Sequence, residues 1–192
     1  MQIQNKYEIL EGLPTSGPMY IPISEDGVEF YHEGLVVRFF KDDGTNWVAN
    51  FKTGWTKYRN VFEIPNTDKI VVIANGQGYI MTPAQQKPVS TFGYAITDLI
   101  PSNDGRFIAV DITDLVIINN DATVWRSQRI SWDGIEELNV NNNIVTGLSY
   151  DPMHDSDEWV NFSFNLDTKE ITGGSYNRYQ FEESKKPFWK FW

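Results

Sequence analysis

Apolar residues along this chain alternate with polar ones at period two or run in short blocks, and no stretch of any length follows the helical period. The clearest region runs from Leu99 to Gly134. Ile96 to Ile100 is a short apolar segment, closed by the turn formers Pro101, Ser102, Asn103, Asp104 and Gly105. Arg106 to Ile112 then places Ile108, Val110 and Ile112 on one face. Leu115 to Ile118 is continuously apolar, too short for a helix and suited to a strand buried on both faces. Asn119 to Ala122 turns the chain, Val124 to Ile130 is extended, and Asp133-Gly134 is a hairpin signal.

The flanks repeat this grammar. Extended segments are predicted for Lys6 to Leu10, Leu35 to Phe40, Asn46 to Phe51, Tyr58 to Ile64, Lys69 to Ala74, Gly78 to Met81, Ile135 to Val140 and Ile144 to Tyr150. Asp26-Gly27 turns into a further one, Val28 to His32. Val160, Phe162, Phe164 and Leu166 alternate with Trp159, Asn161, Ser163 and Asn165 in the cleanest strand pattern of the chain. Gly12 to Pro22 reads as a connection, and Thr82 to Ser90, with Pro83 and Pro88, as a loop. Ile171 and Thr172 begin a last strand that Gly173-Gly174 ends.

One phrase recurs. Ile64-Pro65, Asp68 and the run from Ile70 match Ile100-Pro101, Asp104 and the run from Phe107. Leu138 to Val145 is a weaker copy, and Leu35 to Trp47 a possible fourth. Repeats of roughly 40 residues made only of strands predict stacked four-stranded sheets. The fold expected is therefore one all-β, antiparallel domain over residues 1–192, with a small propeller-like arrangement of short sheets. The alternative is a β-sandwich, whose turns have similar spacing.

Composition fits this picture and narrows the partners. Aromatics make up 15% of 192 residues, seven of them Trp, which suits rings packed between sheets and argues against disorder. Sixteen Lys and Arg against 26 Asp and Glu leave a net charge of −10. Such a surface repels phosphate backbones and anionic membranes and steers basic proteins inward. Neither a nucleic-acid nor a membrane partner is expected. With no cysteine, disulfides and thiolate metal sites are excluded. Met1 to Glu8 lacks the basic-then-apolar order of a secretory leader, and no run reaches the length of a membrane span, so a cytoplasmic location is expected.

Val124-Trp125-Arg126, Arg129-Ile130-Ser131-Trp132-Asp133-Gly134, Trp159, Phe162, Asp167, Ile171 and Gly173-Gly174-Ser175-Tyr176 form a spaced signature. It resembles a signature of bacterial β-rich proteins of unassigned activity and covers the C-terminal half, from about Asp104 onward. The resemblance implies a β-rich fold and carries over no catalytic residue, because none is established for that group.

Candidate chemistry is sparse. Asp151, His154, Asp155, Asp157 and Glu158 form an acidic loop that could hold a hard cation, but their spacing is not that of an EF-hand, and a solvated acidic edge is the simpler reading. Asp111, Asp114 and Asp133 lie near aromatics and could supply paired carboxylates for glycoside hydrolysis, or more simply terminate strands and turns. Arg126 and Arg129 beside Trp125 and Trp132 could read a carboxylate, or lay their stems along packed rings. His32 and His154 sit in no nucleophile motif, Ser175 has no assigned base, and Gly76 to Gly78 lacks the helix and Lys of a phosphate loop. The aromatic tail from Lys185 to Trp192 either closes the fold or meets a partner.

These readings point to a non-enzymatic protein-binding module without cofactor or metal, and more sharply to a bacterial immunity protein that neutralises a basic toxin. The acidic loop Asp151 to Glu158 would be its recognition edge. A carbohydrate-active hydrolase or sugar-binding protein, and a structural repeat module, are the alternatives.

Overall fold

The computed structural model describes residues 5–152 and 157–178. The expectations for His154, Asp155 and the tail from Lys185 lie outside the described residues. The all-β expectation holds: among the described residues, sixteen strands form four four-stranded sheets. The first contains β1 (Tyr7–Leu10), β2 (Ile21–Ile23), β3 (Leu35–Phe40) and β4 (Asn46–Phe51), in the order β1-β3-β4-β2. Three meanders follow, each with its strands in chain order. They are β5 (Asn60–Glu63) to β8 (Gln85–Phe92), through β6 (Ile70–Ala74) and β7 (Gln77–Thr82); β9 (Ile96–Pro101) to β12 (Val124–Arg126), through β10 (Phe107–Asp111) and β11 (Asp114–Ile118); and β13 (Ile135–Asn141) to β16 (Ile171–Gly173), through β14 (Ile144–Asp151) and β15 (Glu158–Asn165). The sequence repeat marks equivalent places in them. Its Ile-Pro phrases fall at the turns into β6 and β10, and its third copy at the turn into β14.

The inner strands are the apolar runs. β6, β7 and β11 are buried along their whole length, which is why they read as continuous blocks rather than alternating ones. The chain divides into two compact units, Met1–Asp98 with Ile118–Val124, and Leu99–Ile117 with Trp125–Trp192. In the first unit, Val37, Phe39, Trp47 and Phe51 of one sheet share a core with Ile70, Val72, Tyr79 and Met81 of the next. Phe39 stacks on Trp47 at 4.9 Å, and the Trp47 indole N–H donates to the Pro83 carbonyl at 2.8 Å. In the second unit, Ile108, Val110, Leu115 and Ile117 pack with Val145, Phe162, Phe164 and Leu166. Trp125 stacks on Phe164 at 5.6 Å, and the Lys169 ammonium sits 4.8 Å from the Trp125 ring.

Several predicted boundaries shift for physical reasons. The predicted loop Thr82 to Ser90 is mostly strand β8. That strand is an edge, where a proline removes no ladder bond, and a register shift between Ile80 and Thr82 absorbs the irregularity. Val28 to His32 is not a strand; Ile21–Ile23 takes the place beside β4, in a parallel pairing. Ile112 does not share the face of Ile108 and Val110. It occupies a turn at φ 53°, with Thr113 N donating to Asp111 O at 2.6 Å. The extended segment from Val124 keeps only three residues in the sheet. A single helical turn covers 175–178, where no helix is predicted.

Candidate functional site

The acidic loop springs from a hairpin whose strands set its geometry. Asp151 and Glu158 face each other across β14 and β15, as do Tyr150 and Trp159 one position inward. Trp159 is partly exposed, with its ring 5.3 Å from that of Tyr150. Asp157 and Glu158 are exposed. A hydrogen bond to Asp157 holds the Tyr150 phenol above its ordinary pKa, and the charges of Asp157 and Asp133 push the same way. Arg178 joins the two strand ends: its guanidinium lies 2.9 Å from Glu158 and 3.7 Å from Asp151. Asp151 departs from the expected role. It is only 1% exposed, and its carboxylate faces the Arg178 guanidinium. The end of a fully paired strand is shielded by its own sheet, and residue type alone does not reveal that. Among the described residues no group of His, Asp and Glu is arranged to hold a metal ion.

The carboxylates weighed for acid–base work have a different setting. Asp111 ends β10, Asp114 begins β11, and the Ile112-Thr113 turn brings both to one guanidinium. Arg126 Nη2 donates to Asp111 Oδ2 at 2.6 Å and to Asp114 Oδ2 at 3.0 Å, and Nε lies 2.9 Å from Asp114 Oδ1. Both carboxylates are buried, whereas Arg126 keeps about half of its side chain in solvent. Burial pushes the Asp114 carboxyl up and Arg126 opposes it. Asp133 sits in the next turn, beside Tyr150, and not in this ion cluster. One guanidinium is shared by two buried carboxylates, with Asp114 Oδ1 left without a hydrogen-bond donor, so removing the cation is the costly change.

Two parts of the spaced signature, residues 129–134 and 174–176, meet in one joint. The Trp132 backbone N–H donates to the Ser175 hydroxyl oxygen at 3.2 Å, and that hydroxyl donates to Tyr150 O at 2.7 Å. Ser175 N donates to Ser149 Oγ at 2.9 Å, and Tyr176 N to Ile130 O at 3.1 Å. Ser131 donates its own hydroxyl to Gly134 O at 2.6 Å. Arg129 clamps the outside. Its Nε and Nη2 donate to Ser131 O and Trp132 O, and its guanidinium carbon lies 5.3 Å from the Trp132 ring and 4.9 Å from the Tyr176 ring. Gly174 is required because a Cβ there would meet Ile130 O at 2.8 Å, at φ +85°. Ser175 is thus a buried structural hydroxyl and not a nucleophile. Arg126 and Arg129, paired in the sequence reading, divide between an ion cluster and an aromatic clamp.

His32 packs beside Phe30 at 4.9 Å and faces no catalytic partner among the described residues. Sequence reading passed over an exposed aromatic pair in the first unit, Trp55 and Tyr94, with rings 5.0 Å apart. The two lie 39 positions apart, and no local pattern joins them. No family model matches the chain, and no curated protein matches it.

Proposed function

We propose that this chain is a non-enzymatic protein-binding module, a bacterial immunity-type protein that occludes a basic toxin in the cytoplasm, with its four sheets in a propeller-like arrangement. The observation that carries the reading is the acidic edge of the β14–β15 hairpin. Asp157 and Glu158 stand in solvent beside the partly exposed Trp159, on a strand pair registered over eight residues. A rigid hairpin presenting charge and an aromatic ring has the composition of a recognition edge. The net charge of −10 adds long-range steering toward a basic partner. Membership of the bacterial β-rich group suggested by the spaced signature belongs to this proposal. Within the signature, Arg129, Trp132, Ser175 and Tyr176 support one another, which fits a role in folding.

The test is affinity capture from the native host with the intact chain, eluted with a salt gradient. Recovery of one basic protein, released by salt and lost with Asp157→Asn plus Glu158→Gln, is the expected result. Recovery of abundant housekeeping proteins alone, with no salt-sensitive species, overturns the reading.

A hydrolase acting on carbohydrate is favoured by one specific feature, the raised carboxyl of Asp114 next to Asp111. Hydrolysis of any member of a glycoside panel, abolished by Asp114→Asn with the fold intact, would replace the binding reading. The engagement of both carboxylates by Arg126 weighs against it.

A further inference from the structure

Trp55 is 78% exposed, an uncommon state for the largest side chain, and its backbone cannot retract to cover it. Gly54, Trp55 and Thr56 donate three successive N–H groups to Ala74 O, Tyr94 O and Asn75 O at 2.9, 3.1 and 2.9 Å. The Thr56 hydroxyl adds a bond to Ile96 O at 2.6 Å. A Cβ at Gly54 would collide with the Tyr94 carbonyl oxygen, so the bend admits only glycine. The indole therefore stands on a fixed base with Tyr94 against it. Presenting a rigid aromatic ring in advance lowers the ordering cost of association.

The same segment leads to an acidic cleft in this unit. Lys52, two residues before Gly54, accepts the Tyr79 hydroxyl on its carbonyl at 2.7 Å and places its ammonium 2.8 Å from Glu25. Glu25, Asp26 and Glu29 line a cleft of about 710 Å³ against strand β8, with Lys87 on its wall and the Lys52 ammonium reaching Asp26 at 3.5 Å as well as Glu25. Val28 and Tyr31, on the same loop, are exposed by 62% and 85%. Both strands beside the cleft, β2 and β8, carry a proline, Pro22 and Pro88, which makes simple strand addition a poor way to fill it.

We propose that the Trp55–Tyr94 pair and the Glu25–Asp26–Glu29 cleft form a docking surface for an arginine-bearing extended segment of a basic protein. One guanidinium stacks on the Trp55 face and a neighbouring basic side chain enters the cleft. Arginine is favoured over lysine because its flat cation stacks on an indole and forks onto carboxylates. The inference rests on the reading of the chain as a binder of basic proteins, but it places the contact in the first unit, away from Asp157 and Glu158 in sequence and in unit.

The test is a titration of the full chain with a hexa-arginine peptide, followed by tryptophan fluorescence, with hexa-lysine and hexa-glutamate peptides as comparators. The expected result is binding in the order arginine, lysine, glutamate. Trp55→Ala should weaken the arginine peptide roughly tenfold, with Glu29→Gln weakening it less and Asp157→Asn plus Glu158→Gln changing it little. Because Trp55 is exposed, Trp55→Ala should keep the wild-type circular dichroism; Trp55→Phe, retaining a ring, should recover part of the affinity. Equal affinity of wild type and Trp55→Ala, or no binding of the arginine peptide by the wild type, overturns the docking surface. Loss of binding only in the Asp157/Glu158 variant overturns it as well, while leaving the proposed recognition edge standing.

Discussion

Ser175 ties two distant segments of the chain through one oxygen, accepting from Trp132 N and donating to Tyr150 O in a fully buried site. Ser175→Ala should therefore cost about 1–3 kcal/mol in urea unfolding, the usual penalty for stranding buried hydrogen-bonding groups; a change within error would show that the joint relaxes around the lost hydroxyl. Arg126 is a sharper case. Replacing it with Met leaves Asp111 and Asp114 buried without their cation. A loss of about 2–4 kcal/mol is expected, somewhat below that of a fully buried pair because Arg126 is half in solvent. Adding Asp111→Asn and Asp114→Asn to Arg126→Met should recover part of that loss. Acid titration separates two kinds of aspartate. Arg106 draws the Asp104 carboxyl from its ordinary 3.8 down to about 2, so it contributes stability above pH 3.8 that is lost as pH falls toward 2. Asp114, pushed up by burial, acts in the opposite sense and becomes easier to bury as it protonates. Asp104→Asn should thus flatten the stability loss between about pH 4 and 2, by under about 1 kcal/mol, because the carboxylate is well exposed to solvent; an unchanged acid limb would rule out this assignment. None of these three roles follows from residue type. Sequence marked Asp111, Asp114, Arg126 and Ser175 as notable, but only register decides that two of the carboxylates meet one guanidinium and that the serine faces a backbone.

At the scale of the element, the turns carry most of the information. Asn75-Gly76 joins β6 to β7 with φ of 48° and 96°, the positive values that an Asn-Gly hairpin supplies. Ile112 is the opposite case. It is the centre of a three-residue γ-turn at φ 53°, a strained state for a β-branched residue, and its apolar side chain reads as a continuation of the strand. Ile112→Gly should raise stability by about 1 kcal/mol: relief of about 1–3 kcal/mol of strain exceeds the added chain entropy of glycine. A lower melting temperature would show that packing of the Ile112 side chain outweighs the strain. Strand β8 was missed for a related reason. Proline and polar residues signal a loop to a reader without topology, and only the sheet order identifies β8 as an edge that tolerates them. The buried inner strands were legible because four or five consecutive apolar residues have few other homes in so polar a chain.

On the scale of the whole molecule, the hairpins cover most of the described chain and the polar chemistry is consumed inside them. Arginines 106, 126, 129 and 178 are each engaged by carboxylates, carbonyls or rings. The excess of acidic residues has no such internal balance, since 26 stand against 16 cations. That imbalance was plain in the composition. The place where it becomes a surface was only half legible, because Asp151 is buried while Asp157 and Glu158 are exposed. The central claim is that this exterior grips a basic protein by charge and does no chemistry on it. The most direct measurement is calorimetric titration of the purified chain against the basic protein recovered by affinity capture from the native host, at low and at physiological ionic strength. Stoichiometric binding that weakens with salt, and weakens again with Asp157→Asn plus Glu158→Gln, is predicted; no binding, or binding indifferent to both salt and those substitutions, would contradict it.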